Sequence, residues 1–166
     1  IPAADCQYGY RQSRFKQDWK NGYLITHVIY RLSHTFVAHL DYGNIRQTLL
    51  ERTIEKPTPK QLRQVIIDIR REKLPDPQVE GNAGSFFVNP VVSRQKYEQL
   101  PAGWMIEQCG WKGRSLGLAG AHSRQALVLV NRGGATGSEV VNLCHRICSD
   151  VALKFGIEIK PEVNIV

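Results

Sequence analysis

Long apolar runs are missing from this chain. The longest, Ala126-Leu127-Val128-Leu129-Val130, falls far short of the roughly 20 residues a bilayer-spanning helix needs. The opening residues, Ile1-Pro2-Ala3-Ala4-Asp5, show neither an initiator Met nor a basic-then-apolar secretory pattern. They are expected to be the cut end of something longer. No CxxC pair occurs among Cys6, Cys109, Cys144 and Cys148, and His145 alone does not complete a zinc ligand set. Free, buried thiols in a reducing cytoplasm are therefore expected. A Lys/Arg block is also absent. The densest basic group, Arg63, Arg70, Arg71 and Lys73, is spread along a helical pattern rather than gathered in a tail. No internal repeat or low-complexity tract interrupts the chain.

What remains is ordinary in a useful way. With 166 residues, 42% of them hydrophobic, the chain can bury one core and hold one domain, or one domain and part of a second. A net charge of +7 favours anionic partners: nucleic acid, acidic lipid, or a small molecule bearing phosphate or carboxylate.

Residues 23–32 and 35–42 are rich in β-branched and aromatic types and predict two strands, with Ser33-His34 as the turn between them. Residues 44–52 predict a short helix. Thr58-Pro59-Lys60-Gln61 is a helix start with a capping-box pattern, followed by Leu62, Val65, Ile66 and Ile69 at helical spacing. Pro75 and Pro77 end that helix just after Lys73. Thr136-Gly137-Ser138-Glu139 repeats the capping pattern ahead of an apolar stripe, Val140, Cys144, Ile147, Val151 and Phe155, with Gly156 as the stop. Residues 126–130 and 157–159 predict strands on either side. The fold class is α+β: a small mixed or antiparallel sheet with packed helices.

One stretch carries a chemical signal. In Gly81-Asn82-Ala83-Gly84-Ser85-Phe86-Phe87, two glycines permit unusual backbone angles and two aromatics can anchor the strand beyond them. The hydroxyl between them is held on a rigid base, although a serine in such a place is most simply a turn residue. The glycine pattern lacks the lysine of a phosphate-binding P-loop. Arg11, flanked by Tyr8, Gly9 and Tyr10, could pair a carboxylate in bidentate fashion. Glu162 follows the stiff Pro161 and could face a cleft or simply solvent. Lys73 ends a helix, where a cation is expected in any case. Trp104 and Trp111 are most simply core or partly buried surface. These residues alone do not name a reaction.

A series of stretches, in order, resembles the UDP-N-acetylenolpyruvoylglucosamine reductases, the MurB family. They are Asp5 to Lys16, Asp41-Tyr42-Gly43-Asn44-Ile45, Arg70 to Pro77, Gly81 to Ser93, Ala102 to Gly110, Gln125 to Asn131, and Pro161-Glu162-Val163. The resemblance implies a flavoprotein oxidoreductase in which FAD is reduced by NADPH. The enolpyruvyl ether of UDP-N-acetylglucosamine enolpyruvate is then reduced to UDP-N-acetylmuramate for peptidoglycan synthesis, and hence for cell-wall biogenesis, cell shape and division. By motif position, Ser85 is implied as the general acid, with Arg11 and Glu162 stabilising the charge that grows on the substrate. Tyr42, Lys73, Asn89 and Gln125 are implied as substrate contacts and Arg70 as a cofactor contact; no metal is implied. Residues 1–57 are expected to be the end of a flavin-binding domain, 58–156 the substrate-binding domain, and 157–166 a return segment carrying Glu162.

FAD would be held mainly by residues ahead of this chain, which alone is expected to bind flavin weakly or not at all and not to turn over. The resemblance also implies a further loop where Leu100 runs directly into Pro101; it is either deleted or a mobile segment left out of the sequence, the second being the expectation. A cytoplasmic monomer with no nucleic-acid or membrane partner completes the expectation. The alternative from another class is a small basic α+β module that binds nucleotide or RNA without catalysis, with Tyr23, Tyr30 and Phe36 as its stacking residues.

Overall fold

A computed structural model describes residues 1–9, 12–90 and 101–165. They form two compact units, Ile1–Val37 and Ala38–Val166.

The first unit contains two short 3-10 turns, Ala3–Cys6 and Arg14–Lys16. Arg14 pairs with Asp18 and stacks 4.1 Å from the centre of the Trp19 ring. Phe15 meets Trp19 and Tyr23 edge to face, and the Trp19 and Tyr23 rings are tilted against each other. Gly9 and Gln12 exchange backbone hydrogen bonds of 3.0 and 3.2 Å.

The strands expected over 23–32 and 35–42 do not form; residues 23–41 contain no helix or strand. Their composition suits a strand, but a strand exists only when a neighbour takes its N–H and C=O groups. None does so among the described residues. Leu24, Ile29 and Leu32 are 88%, 97% and 84% exposed, so no buried face fixes a register either.

The second unit is α+β. Helix α1 runs Ile45–Glu51 and α2 runs Pro59–Lys73. Strand β1 (Asn82–Ser85) and the short β2 (Phe87–Val88) come next. After α3 (Ala102–Gln108) come β3 (Ser115–Leu116), β4 (Ala119–Ala121) and β5 (Val128–Asn131). Helix α4 (Gly137–Phe155) and β6 (Lys160–Pro161) complete it.

Both capping boxes read from the sequence are present. The Gln61 N–H donates to Thr58 Oγ1 at 3.3 Å while Gln61 Oε1 accepts from the Thr58 N–H at 2.9 Å. Thr136 and Glu139 do the same for α4, at 3.3 and 2.8 Å. Leu74 ends α2 ahead of Pro75, and Gly156 ends α4 in the left-handed region at φ +67°.

The main sheet is antiparallel in the order β1-β5-β4-β3, and β2 pairs with β6 in a second ladder. β6 lies at 160–161 rather than over the expected 157–159. Ile157 and Ile159 are buried, but their backbone runs past α4, where the Cys148 thiol donates to the Ile159 carbonyl at 3.3 Å.

α4 lays Leu143, Cys144, Ile147 and Val151 against β4 and β5, and α3 adds Met105 and Ile106. All six are fully buried. A smaller cluster joins Ile45 and Leu49 of α1 to Leu62 and Val65 of α2. Trp111 is buried with its indole N–H on Asp150 at 3.0 Å, whereas Trp104 is 42% exposed and packs on Phe155. All four cysteines are free.

Candidate active site

Ser85 is the last residue of β1, paired with Val128, and it is exposed. Its placement comes from its neighbours. Between the pairs Asn82–Val130 and Ser85–Val128 the register shifts, so β1 carries a bulge. Gly84 sits in it at φ +72°, a conformation that costs a residue with a Cβ considerably more. Asn82 stabilises the bend: its Oδ1 accepts from the Gly84 N–H at 3.0 Å and its amide donates to the Glu80 carbonyl at 2.8 Å. Gly81 stays outside the left-handed region, so of the two glycines only Gly84 uses the freedom read from the sequence.

Phe86 and Phe87 are buried, 5.4 Å apart between ring centres, and form the rigid base beneath the serine. Phe86 is also the joint between the two ladders. Its N–H donates to the Leu127 carbonyl at 2.7 Å, and its carbonyl accepts from the Glu162 N–H at 2.8 Å. The next pairs, Phe87–Pro161 and Val88–Lys160, continue that ladder. The structure therefore brings Glu162, just past β6, to a backbone contact with Phe86, the residue after Ser85. Arg11 lies outside the described residues.

The remaining predicted residues fall in varied settings. Asn89 has its Oδ1 engaged by the first N–H of α3, at Ala102, 2.9 Å away, which leaves its NH2 and one oxygen lone pair for a ligand. Gln125 is half-buried, and its Oε1 accepts from the Leu127 N–H at 3.4 Å. That oxygen would stand 3.2 Å from a Cβ at Gly103, so Gln125 packs against α3. Tyr42 is 84% exposed ahead of α1. Arg70 and Lys73 are exposed on the last turn of α2.

Two surface hollows lie elsewhere. One of about 370 Å³ is lined by Gln108, Cys109, Asp150, Leu153 and Lys154. The other, about 260 Å³, is lined by Cys148, Ser149, Ala152, Glu158 and Ile159. Neither touches a predicted site residue. Arg70, the expected flavin contact, is one exposed guanidinium with no enclosing wall. The described residues do not by themselves fit a flavin.

Sequence reading missed three residues next to this strand. Glu80, just ahead of β1, pairs with Arg132 at 2.6 Å and faces His122 at 3.9 Å. His122 is buried, and that burial pushes its pKa down, against the opposing pull of Glu80. Nothing local in the sequence links positions 80, 122 and 132, which the β4–β5 turn and the β1 ladder bring together. Asn82 could have been found, since Asn two residues before Gly is an Asx-turn spacing.

Residues 76–166 match the family model for the C-terminal domain of UDP-N-acetylenolpyruvoylglucosamine reductase. The chain belongs to that family. A reductase of this name from Bacteroides fragilis is 48% identical over 184 aligned positions, covering 98% of this chain and 54% of the relative. The Pseudomonas aeruginosa reductase is 47% identical over 179 positions, covering 96% and 52%. The Burkholderia vietnamiensis reductase is 44% identical over 181 positions, covering 96% and 52%. The chain thus spans about half the length of these relatives. An alignment of 184 positions is longer than the 166-residue chain, so the matched part of the relative contains residues that this reductase-family chain lacks. Among solved structures, the reductase MurB from Thermus caldophilus aligns with 66% of the chain and 36% of its own, at 29% identity and a TM-score of 0.45.

Proposed function

We propose that this chain supplies the substrate side of a FAD-dependent, NADPH-using reductase that converts UDP-N-acetylglucosamine enolpyruvate to UDP-N-acetylmuramate in peptidoglycan synthesis. Residues 1–57 belong with the flavin domain, 58–156 bind the substrate, and 157–166 return Glu162 to it. The supporting observation is the joint at Phe86, the residue after Ser85, whose carbonyl accepts from the Glu162 N–H while its own N–H is held by Leu127. A hydroxyl and a carboxylate at such a joint suit a reaction in which charge grows on a carboxylate-bearing double bond and a proton must be delivered to it.

FAD, held mainly by residues ahead of this chain, would supply the hydride for one carbon of the enolpyruvyl double bond. The chain's own residues handle the rest. Arg11 pairs the substrate carboxylate and, with Glu162, stabilises the resulting enol. Ser85 donates its proton to the other carbon and is reprotonated from solvent. Tyr42 and Lys73 meet the diphosphate, Asn89 and Gln125 the remaining polar groups, and Arg70 the edge of the flavin. The excess positive charge suits a substrate carrying a diphosphate and a carboxylate. We assign the intact protein to the cytoplasm, as a monomer without nucleic-acid or membrane partners. The 166-residue chain alone is inactive.

The test separates the half-reactions in the intact reductase. Ser85→Ala lowers turnover by about 10²–10⁴-fold, while NADPH still bleaches the flavin at the wild-type rate. Wild-type turnover in Ser85→Ala would refute the assignment.

A further inference from the structure

The extra residue in β1 has a mechanical consequence. Side chains alternate between the two faces of a strand, so moving the bulge by one position turns Ser85 to the opposite face. Downstream, the two hydrogen bonds of Phe86 hold the strand. Upstream, the Asn131 N–H donates to the Gly81 carbonyl at 2.8 Å, and beside that bond lies a charged group with no assigned purpose.

Arg132 donates to Glu80 Oε1 at 2.6 Å and to the Ala121 carbonyl at 3.3 Å. Its side chain crosses β4 over Gly120, where a Cβ would stand 3.1 Å from the arginine Nε. The missing side chain leaves room first for Ser115 Oγ, 2.6 Å from where a Cβ would stand, and then for the guanidinium. On the other side, His122 Nδ1 accepts from the Arg124 N–H at 3.3 Å. The neutral ring therefore carries its proton on Nε2, the atom that faces Glu80 Oε2 at 3.9 Å. One carboxylate, two residues before the Ser85 strand, is thus ion-paired by Arg132 at the end of β5 and faced by the neutral His122 ring at the end of β4. An exposed ion pair contributes little; here Arg132 reaches solvent, Glu80 is partly covered (23% by side chain) and His122 is buried.

We propose that Glu80, Arg132 and His122 form a clamp that locks the β1 bulge in register and so aims the Ser85 hydroxyl, with Glu80 and Arg132 as positioning residues for its proton transfer. This rests on the reading of Ser85 as the proton donor.

The experiment uses the intact reductase with Arg132→Met, Glu80→Gln and, as conservative rescue, Arg132→Lys. Displacing a reacting group by about 1 Å costs up to about 10²-fold. Arg132→Met and Glu80→Gln should lower kcat by about 10–100-fold, with KM for the enolpyruvyl substrate within about 2-fold. Flavin bleaching by NADPH stays unchanged, and Arg132→Lys recovers part of the loss. The double variant is no slower than the slower single one, because both break one linkage. Amide exchange at Gly84 and Ser85 speeds up.

An ion pair with only a structural role would lower Tm and leave kcat of the folded enzyme intact; that result overturns the clamp. Should Arg132→Met fail to fold, the isosteric Glu80→Gln decides alone. Ser85→Ala run in parallel tells the two ideas apart. An impaired serine variant beside fully active clamp variants sinks the clamp only, and a fully active serine variant sinks both.

Discussion

His122 shows how a single side chain can carry pH dependence into a sheet. Burial is the main cause of its depressed pKa, with Arg124 and Arg132 pushing the same way and Glu80 opposing them. The unfolded chain takes up a proton near the ordinary value of about 6.5, and the folded protein resists it. Between that value and the lower folded pKa the unfolded state binds more protons, so stability must fall as pH falls. The denaturation midpoint is expected to drop between neutral and mildly acid pH. His122→Gln, which keeps an acceptor for the Arg124 N–H, should flatten that part of the profile. Equal slopes for wild type and variant would show that His122 does not set it.

Among the elements, helix ends were more legible than strands. The boxes at Thr58–Gln61 and Thr136–Glu139 are local, because capping is decided within one turn, and both formed as read. Strand β4 is Ala-Gly-Ala, which has no strand preference. It exists because its neighbours β3 and β5 offer hydrogen bonds. Residues 23–32 and 35–42 are the converse, with strong preference and no partner strand among the described residues. The site divides the same way. The Gly84–Ser85–Phe86 run announced itself, whereas the clamp at 80, 122 and 132 depends on long-range pairing that no local pattern reveals. The cap on α4 gives a direct check. Glu139 is held below the usual carboxylate range by hydrogen bonds from the Thr136 backbone and hydroxyl. Thr136→Ala should cost about 1 kcal/mol, read as a lower denaturation midpoint with unchanged m-value. No change would mean that α4 is held by its apolar stripe alone.

For the whole molecule, the two units differ in how well they bury what they own. Ala38–Val166 has a continuous core around α4. Ile1–Val37 leaves Leu24, Ile25, Val28, Ile29, Tyr30 and Leu32 more than half exposed, a contiguous apolar stretch beyond what scattered surface residues explain. The 166-residue chain should therefore bind an apolar dye such as ANS strongly. A version limited to 38–166 should keep its cooperative melt and lose most of that binding. Equal dye binding by both would place the exposed apolar surface in the larger unit. The isolated chain should also come through dialysis against FAD without stoichiometric flavin absorbance.

Phe86, hydrogen-bonded through both its N–H and its C=O, fixes more than a distance. Because the serine and glutamate strands share it as a common origin, thermal motion moves both together rather than one against the other. Their mutual spacing can then survive drift in the surrounding loops and in much of the local sequence. Relatives could exchange residues around this point freely, so long as Leu127, Phe86 and Glu162 keep their main-chain contacts, which any side chain except proline at positions 86 and 162 permits.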